Sequence, residues 1–250
     1  MQATLLQKLT AEFIGTALLL ATVVGSGIMG VELSAGNDGV TLLANAAATA
    51  GALYVLIVLF GPISGAHFNP VVTLAMRARG EMSSEAAATY VVVQVVAAIV
   101  GVVLAHAMFG LALIQPGDHV RSGGSQWLSE AVATFGLLLT ILLGIRHRPA
   151  AVPALVACYI FAAYWFTAST SFANPAVTVA RALTRTFAGI RPDDIPGFIV
   201  AQLVGALAAL AVSHVLAGPS AEGPATSTQN QSLRPATKRV SRESSPSARR

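Results

Sequence analysis

Read for alternation of apolar and polar positions, the chain shows long apolar runs broken by short polar ones. The runs fall at about residues 10 to 30, 40 to 60, 86 to 108, 127 to 145, 151 to 170 and 196 to 217. Each is near the twenty residues that carry an α-helix across about 30 Å of hydrocarbon. Six membrane-crossing helices are the prediction. The first run follows Lys8, carries Glu12 near its start and has no small-residue cleavage site, so it reads as a retained helix and not as a leader.

Two segments break this pattern. "NPVVTLAM" begins at Asn69, after the second run, and "NPAVTVAR" begins at Asn174, after the fifth. Each opens about ten residues of helix-compatible apolar sequence, too short to cross. Eleven residues from Asn69 to Arg79 rise about 16 Å, half the hydrocarbon core. Asn is a preferred N-cap and Pro suits the first helical turn, so each segment reads as a half-helix starting at Asn. The lead-ins "GPISGAH" and "FTASTSFA" are small and polar. Non-helical backbone is tolerated at membrane depth only where protein buries it or a watery cavity receives it. Three crossings plus a half-helix make an odd number, which inverts the second half relative to the first. The two half-helices then enter from opposite faces and meet near the midplane.

The repeat extends beyond the boxes. "YVVVQVVAAIVGVVLAH" at 90 to 106 matches "FIVAQLVGALAALAVSH" at 198 to 214, pairing Gln94 with Gln202 and His106 with His214 at a constant offset of 108. "AEFIGT" and "SEAVAT" place Glu12 and Glu130 alike near the start of each half. The expected organisation is a transmembrane domain at residues 1 to 218, with repeat 1 at about 8 to 110 and repeat 2 at about 126 to 217.

Composition agrees with lipid as the solvent: 54% of residues are hydrophobic and 10% charged, against about 25% charged in soluble domains. Residues 219 to 250 hold six of the 15 Lys and Arg against two of the 11 acids, so the whole net charge of +4 resides there. That Ser, Pro and Arg-rich stretch is expected to be a disordered basic tail. With both termini cytoplasmic, the cytoplasmic side receives Lys8, Arg77, Arg79, Arg146, Arg148 and the tail, and the other side Arg121, Arg181, Arg185 and Arg191. The single cysteine, Cys158, excludes an internal disulfide and reads as a small packing residue. No nucleophile-base constellation, phosphate loop, metal-ligand spacing or nucleic-acid motif occurs, so the chain reads as no enzyme and calls for no cofactor.

Two half-helix N-termini meeting at the midplane bring about half a positive charge each, with the amides of Asn69 and Asn174 beside them. Such a site repels cations and lets neutral hydroxylated solutes accept from the amides. Glu12 and Glu130, as intramembrane carboxylates, admit two readings: a proton relay, or acceptors for backbone N–H groups of the re-entrant segments. His106 and His214 lie near run ends and read as interfacial.

"AEFIGT", "SGAHFNPVVT", "SFANPAVT" and the Gln-bearing third and sixth runs together resemble the aquaporin, or major intrinsic protein, family over residues 8 to 217. The resemblance implies an all-α membrane protein of six transmembrane helices and two re-entrant half-helices, assembled as a homotetramer with one pore per subunit. It implies a passive channel for water and small neutral solutes in a bacterial inner membrane, with pore asparagines Asn69 and Asn174 and box residues Pro70, Val71, Pro175 and Ala176. His67 would line the cytoplasmic half of the pore, and the backbone-holding role of Glu12 and Glu130 is the one the family favours.

Where typical water channels carry Arg three residues after the second Asn, this chain has Val177. The family's aromatic filter position falls on Thr49, the fifth-helix position on Phe161 or Ala162, and the remaining wall on Ser171 or Phe172. This filter is expected to be wider and less cationic than that of a strict water pore. "SFANPAVT" with "TFAGI" also resembles bacterial aquaglyceroporins of arsenic-resistance operons, which extends the implied solutes from glycerol-like polyols to neutral arsenic hydroxides. Arg181, nearly two turns beyond Asn174, either faces the outer vestibule or anchors the half-helix at the interface. The rival functions are a non-conducting membrane scaffold or adhesion protein, and a proton-coupled transporter using Glu12 or Glu130.

Overall fold

A computed structural model describes residues 3–217, and they are helical with short connections. The six crossing helices are α1 (Leu5–Leu33), α2 (Asp38–Ser64), α4 (Ser84–Met108), α5 (Gly124–His147), α6 (Val152–Phe166) and α8 (Ile195–Ala217). Between them lie two short ones, α3 (Pro70–Ala78) and α7 (Pro175–Arg181). The basic tail expected at 219 to 250 lies outside the described residues.

Three crossing helices, α1, α2 and α4, start ahead of their apolar stretches, α1 by about five residues, because polar caps extend them. The Thr4 side chain accepts from the Gln7 backbone while the Gln7 side chain returns to the Thr4 N–H, a capping box for α1. Asn37 caps α2 through the Val40 N–H, and Ser83 caps α4 through the Ala86 N–H. At the other end of α2, Gly65 takes the left-handed conformation (φ 89°) that stops the helix before the first box.

The fifth run behaves differently. Its apolar text continues to about residue 170, but α6 ends at Phe166, and Thr170, Ser171 and Ala173 adopt φ of 60°, 52° and 47°. The first lead-in repeats this, with Ala66 and Phe68 both at 49°. Left-handed conformations are costly for residues with a Cβ. Both segments are therefore held by contacts from elsewhere in the molecule.

Helix pairs α1 with α4 and α5 with α8 make the most extensive contacts, one in each half of the chain. A Cβ at Gly101 would overlap the Ala17 carbonyl, and one at Gly205 would overlap the Ala131 carbonyl. Small residues let helix backbones approach where lipid gives no hydrophobic drive for association. Each half thus uses a glycine for a close crossing, although the two stand about one turn apart in the repeat: at the offset of 108, Gly101 pairs with Ala209 and Gly205 with Ala97. Large apolar side chains such as Leu18, Val55, Val96, Leu128 and Leu207 stay exposed on the outside, as a lipid-facing surface requires. Cys158 is exposed on that surface of α6 and is not an interior packing residue.

Candidate functional site

The two half-helices are joined at their caps. The Asn69 amide accepts from the Val71 N–H through its oxygen (3.0 Å) and donates through Nδ2 to the Ala173 carbonyl (2.8 Å). Asn174 mirrors it, accepting from Ala176 (3.0 Å) and Val177 (3.3 Å) and donating to the Phe68 carbonyl (2.8 Å). Each asparagine thus ends one half-helix and fastens the lead-in of the other. One Nδ2–H of each amide is engaged in this lock and the second has no protein acceptor among the described residues. Val71 and Ala176 are fully buried, and none of Pro70, Val71, Pro175 and Ala176 lines the cavity beside the asparagines. Their part is to start the helix and pack the joint.

Two buried carboxylates hold the strained lead-ins. Glu12 accepts from Ser64 Oγ (2.6 Å), His67 N (2.9 Å), Phe68 N (2.7 Å) and Gln94 Nε2 (2.8 Å). Glu130 accepts from Phe172 N (2.8 Å), Ala173 N (2.8 Å) and Gln202 Nε2 (2.6 Å). Gln94 and Gln202 then donate to Thr73 and Thr178 on the half-helices, each at 2.9 Å. Neither carboxylate is exposed or lines the cavity, and each of the partners named is a hydrogen-bond donor. This geometry favours backbone holding and gives a proton relay no open acceptor.

A cavity of about 550 Å³ passes the asparagine pair. On the side of the chain's N-terminus it is bounded by Glu81, Pro149 and Pro153, and inward by Gly65, Ala66 and His67. His67 shares a hydrogen bond with Thr73 Oγ1 (3.0 Å). Its apolar wall carries Leu19, Val23, Leu53, Val72, Ile141 and Val156.

At the opposite mouth stand Thr49, Tyr164, Ser171, Phe172, Val177 and Arg181. Phe161 and Ala162 differ from expectation: neither lines the cavity, Phe161 is half-buried against neighbouring helices and Ala162 faces outward. The pore-facing stripe of α6 is Val156, Ile160 and Tyr164, spaced by four, and Phe161 and Ala162 lie about 100° and 200° around the helix from Ile160. The Tyr164 hydroxyl donates to Thr49 Oγ1 (3.3 Å), closing the wall between α2 and α6.

Arg181 is 2% exposed, so it does not reach the interface as an anchor. Its Nε–H donates to the Ala188 carbonyl and its guanidinium lies 3.5 Å from the Phe172 ring centroid. Arg121, taken from the sequence as a loop charge, is also buried and donates to the Gly189 (2.9 Å) and Ser169 (3.1 Å) carbonyls. His106 is buried, not interfacial, bridging the Leu113 carbonyl (2.9 Å) and Thr184 Oγ1 (2.8 Å). All three follow from one fact: the connection after α4 folds onto the connection after α7. Gln115 N donates to Leu183 O, Gly117 N to Ala182 O and Arg191 N to His119 O.

Six crossing helices, two half-helices locked cap to cap and a cavity running past the lock define a membrane channel architecture. Comparison with known proteins agrees. The profile of the major intrinsic protein family matches residues 1–168 and 150–243, and the chain belongs to that family. Its members are channels and not enzymes. Aquaglyceroporin AqpS of Rhizobium meliloti (strain 1021) is 54% identical over 216 residues, covering 86% of this chain and 92% of that protein. A probable aquaporin, AqpM, of Archaeoglobus fulgidus is 29% identical, covering 87% of this chain and 99% of its own length. The X-ray structure of the aquaglyceroporin from Plasmodium falciparum shares the fold, with a TM-score of 0.68, 16% identity, and coverage of 86% of this chain and 97% of that one.

Proposed function

We propose that this protein is a passive channel for water and small neutral solutes, including glycerol-like polyols and neutral arsenic hydroxides. The observation that carries the reading is the reciprocal Asn69 and Asn174 lock beside a continuous cavity. A solute at the lock meets two unengaged amide N–H groups and the positive ends of two half-helices. A cation 4 Å from a summed unit charge, at an effective dielectric near 20, is disfavoured by about 4 kcal/mol, roughly a thousandfold in population. The apolar wall then supplies nothing to replace an ion's hydration.

Thr49, Tyr164, Ser171, Phe172 and Val177 form the filter in this reading. Val177 puts no guanidinium three residues after Asn174; the one at this mouth is that of Arg181, beside Phe172, and the hydroxyls of Thr49 and Ser171 remain for polyol oxygens. Similarity to a protein named aquaglyceroporin supports the glycerol-like class, as does 31% identity over 148 residues to a probable glycerol uptake facilitator of Thermotoga maritima.

Orientation with cytoplasmic termini gains support from burial. With Arg121 and Arg181 interior, the far side keeps only Arg185 and Arg191 against Lys8, Arg77, Arg79, Arg146 and Arg148. The setting is a bacterial inner membrane and the assembly a homotetramer of independent pores, as in the family at large. Stopped-flow shrinkage and swelling of proteoliposomes with water, glycerol and arsenous hydroxide in parallel tests the permeant range. Accelerated flux of all three is expected. Water alone accelerated, or none, overturns the reading.

A further inference from the structure

Two buried guanidiniums at the mouth beyond Val177 have no carboxylate partner. Arg181 and Arg121 lie over the same Phe172 ring, at 3.5 and 5.0 Å from its centroid, and no ion pair joins either to an acid among the described residues. Glu130 is the carboxylate behind this ring, and its two oxygens already accept from Phe172 N, Ala173 N and Gln202. Asp194 accepts from the Arg121 backbone N–H (2.7 Å) and from Arg191, and it contacts neither the Arg121 nor the Arg181 guanidinium. The Arg181 guanidinium is therefore buried with no carboxylate in contact among the described residues, a costly arrangement unless a counter-charge can enter. His119, in the same loop, is held below its ordinary pKa by burial first and then by Arg121 and Arg181, with Asp118 opposing.

The donors are placed to receive that counter-charge. Only the Nε–H of Arg181 is engaged, so the two terminal amino groups of a side chain that lines the cavity have no protein acceptor among the described residues. Ser171 Oγ is independently unpartnered, although the residue is 3% exposed and lines the same cavity. Thr49 accepts from Tyr164 and keeps its own hydroxyl proton. A planar fork beside one or two hydroxyl donors matches a planar oxyanion.

We propose that this chamber binds one small monovalent oxyanion of carboxylate or nitrate shape, held by the Arg181 fork and Ser171, and that its occupancy obstructs solute entry. A single free fork, with the nearby carboxylates already engaged, takes a monovalent ion. Beyond Val177 the walls are Ile160, Leu53 and Val23, which offer nothing to replace an ion's hydration, so the ion docks and does not traverse. The obstruction rests on the channel reading; the binding does not.

Sodium nitrate is the probe, compared with sodium chloride at equal ionic strength. Purified protein is expected to gain thermal stability with nitrate in a saturable manner. Arg181→Lys keeps the charge but loses the fork, and should raise the half-saturating concentration by about tenfold, with Ser171→Ala raising it by about threefold. Glycerol flux in proteoliposomes should fall along the same nitrate curve. No nitrate-dependent stabilisation in wild type, or identical half-saturation in both variants, overturns the site. Undiminished glycerol flux at saturating nitrate overturns the obstruction. A wild type that binds nitrate but never passes glycerol upholds the site and removes the channel reading instead.

Discussion

Replacing Glu130 by Gln leaves shape unchanged and tests what holds the second lead-in in place. All three recorded partners of the carboxylate are donors: Phe172 N, Ala173 N and Gln202 Nε2. A Gln amide presents one oxygen and one NH2 group. With the oxygen toward Ala173 and Gln202, the Phe172 N–H faces another donor; with the reverse placement, two donors are orphaned. One buried unsatisfied donor costs about 1–3 kcal/mol, and loss of charge assistance at the two surviving bonds adds about 1 kcal/mol each. The expected penalty is thus about 3–5 kcal/mol, applied to a segment that keeps Ser171 and Ala173 at positive φ. At about 2–4 °C per kcal/mol for a chain of this size, Tm should fall by roughly 6–20 °C. Thermal unfolding in detergent reads the first effect and proteoliposome glycerol flux the second, which should drop because Phe172 and Arg181 move with the lead-in. A Tm within about 2 °C of wild type, with flux that loses only a pH dependence, would refute this account and favour the proton-relay role.

Val177→Arg places a guanidinium in the proposed filter and should reduce glycerol flux several times more than water flux in stopped-flow assays; equal reductions would remove Val177 from the constriction. Gly205→Val drives a branched side chain into the Ala131 carbonyl and Phe135 N, backbone atoms that cannot step aside. It should lower Tm by more than the same change at Gly51, where an added Cβ meets nothing within 4 Å, and equal shifts would contradict the close α5 and α8 crossing. Tyr164→Phe removes the bond to Thr49 and should change the glycerol-to-water ratio with little change in Tm, whereas an unaltered ratio would exclude α6 from the filter.

The architecture was legible because its signals are polar residues in apolar text. Asn69, Asn174, Glu12, Glu130, Gln94 and Gln202 each announce a contact that lipid cannot supply, and they recur at related offsets in the two halves. The register of α6 was not legible for the opposite reason. Both its lipid face and its cavity face are apolar, so a 3.6-residue period has no contrast with which to choose Tyr164 over Phe161 or Ala162. The spacing of Val156, Ile160 and Tyr164, with one hydroxyl needing a partner, is the one trace that could have pointed to it. Arg121, Arg181 and His106 escaped because their burial depends on two distant connections folding together through backbone hydrogen bonds, which side-chain identity does not encode.

Tracer glycerol uptake into proteoliposomes, followed with and without an imposed proton gradient, separates the three functional classes. A passive channel predicts rapid equilibration to equal concentrations inside and out, with an unchanged end point when a pH gradient is imposed. Accumulation above the external concentration under a proton gradient would contradict it in favour of coupled transport, and uptake no faster than in protein-free vesicles would contradict it in favour of a non-conducting membrane protein.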